Sequence, residues 1–261
     1  MSQSAVTAIA PLPFELVYSD GEPLETGWHA MQMPFLGELF HLTMVEQGRS
    51  DYYVGGDMFV YYSVKQAQDV AQGKPYFRGP DVFWVGGVSP TPIRKAWVAW
   101  EEDGRLPDVI IELLSPSTAR IDRTEKRDLY AQVFRTPEYF MCEPGTWKVE
   151  GLRLEGLAYR PMVPDEQGRF WSEQLGVSLG LWHGTRLGLE GTWLRLFRAD
   201  GSLIPTSEEN ALAERERADA ERGRAEAEAK RADAERERAE AAEAEVARLR
   251  ALLGTLPPDL L

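Results

Sequence analysis

The stretch that most restricts the fold is 108–130, DVIIELLSPSTARIDRTEKRDLY. Its first half is an apolar run that reads as a strand over 109–114, and it holds one carboxylate, Glu112. Such a strand belongs in a core, where a carboxylate costs free energy unless it is paired or binds a metal. The run breaks at Ser115-Pro116-Ser117-Thr118, and a charged helix carrying Lys126 is predicted over 123–134. Asp122-Arg123-Thr124-Glu125 fits a variant capping box, with Asp122 as N-cap and Glu125 at the third helical position. Lys126 and Tyr130 are four apart and share one face, while Leu129 and Val133 can face the core. The first turns of this helix then return toward the end of the Glu112 strand, and a compact strand–loop–helix would let the Lys126 ammonium reach the carboxylate.

The surrounding text predicts an α/β core. Phe35, Leu39, Leu42 and Val45 stand at helical spacing, which predicts a helix over about 34–47. YYVGGDMFVYYSV reads as a strand interrupted at Gly55-Gly56, followed by a polar loop to about residue 75. FRGPDVFWVGGV is a second strand, and the segment from Ile93 to Trp100 is a short strand or a crossing segment. After the Glu112 strand and its helix comes a short strand at 138–142. The order is helix–strand–strand–strand–helix–strand. Residues 1–27 read as an irregular lead-in, and the Gly- and Trp-rich text from about 147 to 198 reads as a β-meander extending a domain that spans 28–207.

At 208 the composition changes to Ala, Glu and Arg. Ala211, Ala218, Ala225, Ala232, Ala239, Val246 and Leu253 recur every seven residues, which predicts a long helix over 208–261 with a heptad seam. Ion pairs such as Glu226–Lys230, Asp233–Arg236 and Glu245–Arg248 would support it. Glu214, Glu221, Glu228 and Glu235 occupy the other seam positions, so an Ala/Glu seam buries little. Three readings stand for this tail: a solvated helix, self-association as a coiled coil through the Val246, Leu249, Leu252 and Leu253 tip, or docking on a different protein.

Two carboxylates and a lysine at strand ends suit metal-dependent phosphodiester hydrolysis. Asp81 follows Pro80 at the entry of an apolar strand, and it can join Glu112 in holding Mg²⁺ or Mn²⁺ through oxygen. Lys126 can orient the nucleophile or stabilise developing charge. Each has a plainer reading: Asp81 as a turn residue, Glu112 in an incidental salt bridge, Lys126 as a surface lysine. The three histidines, His29, His41 and His183, show no ligand spacing. Ser115 and Ser117 read as loop and cap residues, and no phosphate-binding glycine motif is present. A single cysteine excludes an intramolecular disulfide framework and a cysteine-based zinc site. The net charge of −13 runs against general nucleic-acid binding without excluding a local basic patch, for which Arg120, Arg123, Arg127 and Arg135 are the candidates. No apolar run is long enough to span a membrane, and the N-terminus lacks the basic start of a signal peptide. A cytoplasmic protein is the expectation.

PDVFWV followed by PDVIIELLSPSTARIDRTEKRDLYAQVFRTPEYFMCEP resembles the Uma-two family of restriction-endonuclease-like proteins, within the PD-(D/E)XK nuclease superfamily. The elements that carry the resemblance are Pro80-Asp81, Glu112, Ser115-Pro116-Ser117-Thr118, Asp122, Lys126, Tyr130 and Glu138-Tyr139. It is densest over 80–144 and extends loosely over 30–205. The resemblance implies the same restriction-endonuclease-like core order, metal binding by Asp81 and Glu112, and a catalytic lysine moved from the strand, where Leu114 stands, to Lys126 on the helix. Tyr130 would support the lysine. Phe140 and Cys142-Glu143-Pro144 depart from the usual closing strand without touching this triad. Asp57 matches an acidic position in some relatives, and Glu46 could supply a helix acid; both are supporting candidates. The activity expected is Mg²⁺-dependent cleavage of DNA, with RNA or a nucleotide as other substrates. The rival expectation is a catalytically silent scaffold that assembles through its tail.

Overall fold

The computed structural model describes residues 12–19, 21, 26–74 and 79–253. Most of the expected lead-in lies outside these residues, as do the side chains of Leu252 and Leu253. The chain divides into two compact units, 1–206 and 207–261.

In the first unit a six-stranded mixed sheet runs in the order β1 (Tyr52–Gly56), β3 (Val82–Gly86), β5 (Val109–Leu113), β6 (Glu138–Glu143), β7 (Lys148–Glu155) and β8 (Ala158–Pro161). β5 and β6 are parallel and the other neighbours antiparallel. Two short strands, β2 (Val60–Tyr61) and β4 (Trp97–Val98), pair separately beside it. The remaining strands, β9 (Phe170–Ser172), β10 (Val177–Arg186) and β11 (Leu189–Phe197), form a third sheet. The predicted meander is therefore split: β7 and β8 extend the main sheet, and β9–β11 stand apart from it.

Alternation along the strands sorts the two faces. Val82, Trp84, Val109, Ile111, Leu113, Phe140 and Cys142 face α1 (Gly27–Glu46) and the β10–β11 ribbon in one core. Phe83, Val85, Ile110, Tyr139 and Met141 face the second layer, the helical run 119–134 called α3. Helix α1 presents Met33, Phe35, Leu36, Leu39, Phe40 and Met44 to the first core at spacings of three and four. It also covers the exposed edge of β11. The Gln32 amide donates to the Leu194 carbonyl at 3.0 Å and accepts from the Leu194 N–H at 3.0 Å, so both backbone groups are satisfied.

Several expectations need correction. Helix α1 starts at Gly27, seven residues before the predicted start, and runs through Pro34. Pro34 and Ala30 lie on the exposed face, so the Ala30 carbonyl that loses its helical donor opens to solvent. The expected loop before residue 75 contains α2 (Val64–Ala71), capped by Ser63 and buried only through Gln66, Ala67 and Val70. The break in the second predicted element falls at Asp57 with φ of 48°, after Gly55-Gly56, and separates β1 from β2. The crossing segment holds β4 and a 3₁₀ turn, Ala99–Glu101. Asp122 is not a cap: its backbone is helical, and α3 begins at Ala119. Ser115 and Thr118 cap the turn that leads into it. Ser115 Oγ accepts from the Thr118 N–H at 3.1 Å, and Thr118 Oγ1 accepts from the Ser115 N–H at 3.3 Å.

The second unit is the helix α4 (Ser207–Leu253), whose side chains are exposed at almost every described position. Asp219–Arg222, Asp233–Arg236 and Glu245–Arg248 form i,i+3 ion pairs along it. Among the described residues no helix is long and apolar enough to cross a membrane.

Candidate active site

The register of β3 against β5 places the site. Val82 pairs with Ile111 and Trp84 with Val109, and one more step would set Pro80 opposite Leu113. Proline has no N–H to continue the ladder, so β3 ends and Asp81 turns its side chain onto β5. The Leu113 N–H donates to Asp81 Oδ2 at 2.6 Å, and the Asp81 N–H donates to Glu112 Oε2 at 3.4 Å. Two carboxylates from neighbouring strands thus meet at one end of the sheet.

Glu112 shares the α3 face with Ile110, two residues before it, and is 1% exposed. Its Oε1 accepts from the Tyr130 hydroxyl at 2.8 Å and lies 3.0 Å from Lys126 Nζ. Lys126 Nζ is also 2.8 Å from Asp122 Oδ1. Asp122, Lys126 and Tyr130 are successive fourth residues, which in a regular α-helix drift by about 40° per step. Two π-type turns, Asp122–Lys126 and Tyr130–Phe134, take more residues per turn and keep all three side chains toward Glu112. The Tyr139 hydroxyl donates to the Asp122 carbonyl at 3.0 Å, holding the first wide turn against β6.

Three carboxylates therefore surround one ammonium. Burial pushes the Glu112 pKa up to about 8, with Asp81 and Asp122 adding to the rise and Lys126 and Tyr130 opposing it. Burial raises Asp81 as well, against the pull of Lys126. For Lys126 burial works against the charge, but Glu112, Asp122 and Asp81 outweigh it and hold the pKa above that of a free lysine. The ammonium stays charged, and near neutral pH a proton is retained on Glu112. Burial raises Tyr130 well above an ordinary phenol, so its hydroxyl remains a donor to Glu112.

The other predicted residues scatter. Asp57 donates its N–H to the Asp81 carbonyl at 3.1 Å, which places its backbone beside the site with an exposed side chain. Glu46 ends α1, about 25 Å along the helix from His29, and pairs with Arg198 at 2.6 Å. Arg123 is committed to Glu143 at 3.1 Å and Glu150 at 2.9 Å. Arg120, Arg127 and Arg135 are exposed, Arg120 lying 3.8 Å from Glu125. Burial pushes the Cys142 thiol up to about 12, which leaves it inert as a nucleophile.

The fold also brings in two residues that sequence reasoning leaves outside the site. Asp122, expected as a cap, is the second carboxylate on Lys126. His29, which lacks ligand spacing, is 5% exposed and reaches the Leu113 carbonyl from α1 at 3.0 Å. Its signal is the Thr26 N-cap three residues earlier, which marks the true start of α1.

No curated protein matches the chain. Among solved structures it is similar to the crystal structure of "a putative nuclease belonging to DUF820" from Anabaena variabilis. That likeness has 15% identity and a TM-score of 0.38, covering 57% of this chain and 76% of the other. A family model described as "Putative restriction endonuclease" matches residues 11–190, more than half of the sequence, and the chain belongs to that family, Uma2.

Proposed function

We propose that this protein is a metal-dependent endonuclease that hydrolyses phosphodiester bonds in DNA. The observation that carries the reading is the convergence of Asp81 and Glu112 at adjoining strand ends with Lys126 Nζ 3.0 Å from Glu112. Membership of the Uma2 family supports it, as does the helix–strand–strand–strand–helix–strand order of α1, β1, β3, β5, α3 and β6, into which β2, α2 and β4 are inserted.

The donor set fits a hard divalent cation, Mg²⁺ or Mn²⁺. The carboxylates of Asp81, Glu112 and Asp122 exceed the charge of Lys126, and the surplus is met by protonating Glu112. A cation held by Asp81 and Glu112 would replace that proton. Among the described residues no group of three or more His, Cys, Asp or Glu side chains forms a metal cage. Mg²⁺ is commonly bound by one or two carboxylates, with water and substrate phosphate completing the shell. Such an ion lowers the pKa of water and offsets phosphate charge. Lys126, fixed between Glu112 and Asp122, orients the attacking water or meets charge developing on the phosphate. Tyr130 holds Glu112 Oε1 in place. Arg120 and Arg127, exposed on α3, are available to DNA phosphates; Arg123 is not.

Purified protein should nick supercoiled plasmid with Mg²⁺ or Mn²⁺. Asp81→Ala, Glu112→Ala and Lys126→Ala should each lower the rate about 100-fold or more. Cleavage that survives the Glu112→Ala/Lys126→Ala double substitution would overturn the assignment. The exposed surface of α4 favours a second reading, a catalytically silent scaffold that assembles through this helix. That reading requires a change in the number of chains per particle when the chain is cut after Thr206, together with no metal-dependent cleavage by the full chain.

A further inference from the structure

Leu113 is held at both of its backbone groups by side chains where a strand would ordinarily hold it. Leu113 is the last residue of β5, and its backbone groups point toward the place β3 vacates after Val82. A partner there would accept from the Leu113 N–H and donate to the Leu113 carbonyl. Asp81 Oδ2 does the first, at 2.6 Å. Pro80, opposite by register, has no hydrogen to do the second. His29 Nε2 does it instead, at 3.0 Å, from a helix on the other face of the sheet. The histidine is itself fixed: Thr26 Oγ1 lies 2.7 Å from Nδ1, and Thr26 also caps α1. For Nε2 to donate to a carbonyl it must carry the hydrogen, which leaves Nδ1 to accept from the Thr26 hydroxyl. The ring packs edge-on against Trp28, with centroids 5.5 Å apart.

We propose that His29 is a positioning residue, supplying the hydrogen bond that Pro80 cannot make and so fixing the backbone of Leu113, on whose N–H Asp81 is anchored beside Glu112. A buried carbonyl left without a donor would twist or seek water. Either change moves the Leu113 N–H and, with it, the Asp81 carboxylate. The catalytic part of the proposal rests on the nuclease reading; the structural part does not.

Two variants separate the roles. His29→Leu keeps apolar bulk and removes the donor, while His29→Gln keeps a donor. Backbone amide exchange at Leu113, read against Ile111 in the same strand, should quicken at least about 10-fold in His29→Leu and return toward wild type in His29→Gln. Calorimetric Mn²⁺ affinity and kcat for plasmid cleavage should fall about 10–100-fold in His29→Leu, with KM for DNA within about two-fold. Equal protection of Leu113 in all three proteins would overturn the proposal whether or not the protein is a nuclease. Absence of Mn²⁺ binding and cleavage in the wild type, with Leu113 exchange behaving as stated, would instead sink the nuclease reading alone. Should His29→Leu fail to fold, the ¹⁵N shifts of the wild-type imidazole decide: Nε2–H is required, and an Nδ1–H tautomer overturns the proposal.

Discussion

Glu112 sits in a strand whose other four residues are apolar, and its charge state is set by what α3 and β3 bring to it. Burial raises its pKa from an ordinary 4.5 to about 8. Between those values the folded protein binds a proton that the unfolded chain releases, so stability falls as pH rises through that window. This destabilisation is absent below about pH 4.5 and complete above about pH 8, and amounts to a few kcal/mol, on the order of one per pK unit. Thermal melting in EDTA should therefore show the midpoint dropping from pH 5 to pH 8. Glu112→Gln, which mimics the protonated acid, should flatten that slope and melt higher than wild type at pH 8. An unchanged slope would mean that Glu112 is already ionised at pH 5. Asp81 and Glu112 were legible as candidates because a strand entry behind Pro80 and the middle of an apolar run are unusual settings for an acid, and Lys126 followed from the helix that returns to them. Asp122 was legible only as a helix start and a motif element, not as a partner of Lys126, and His29 did not stand out from its local text.

Among the secondary-structure elements, boundaries moved more than the elements did. Helix α3, expected to begin after Asp122, starts at Ala119 under the Ser115–Thr118 cap. The earlier cap leaves room for the wide turn that aims Asp122 and Lys126 at the same acid. Ser115→Ala should cost about 1 kcal/mol, the usual loss for an N-cap, read as a lower urea midpoint at unchanged slope. A loss below about 0.3 kcal/mol would show that the turn does not depend on this cap. Helix α2 escapes the sequence because Ala67 and Val70 are too few apolar residues to mark a period. Pro34 hides the start of α1 for the opposite reason: it looks like a first helical residue, and only its exposed face allows a helix to pass through it.

Across the full chain, the change in composition at 208 coincides with the division into two units at 207. All eight Trp lie before this point, so their fluorescence reports on the first unit alone. A chain ending at Thr206 should keep its Trp-fluorescence melting midpoint while losing about half of the far-UV helical signal, since α4 contributes 47 helical residues. A midpoint shift above about 4 °C, roughly 1 kcal/mol for a body of this size, would show that α4 stabilises the body. Periodicity and a misplaced acid are local properties, so the α/β class, the long charged helix and the three candidate residues could be read from the chain alone. Which carboxylates share Lys126, why Arg123 is unavailable, and how His29 answers the hydrogen bond Pro80 leaves open came only with the folded structure. Those contacts join residues up to 84 positions apart, between His29 and Leu113, and they depend on strand register and helix winding that no single stretch of sequence encodes.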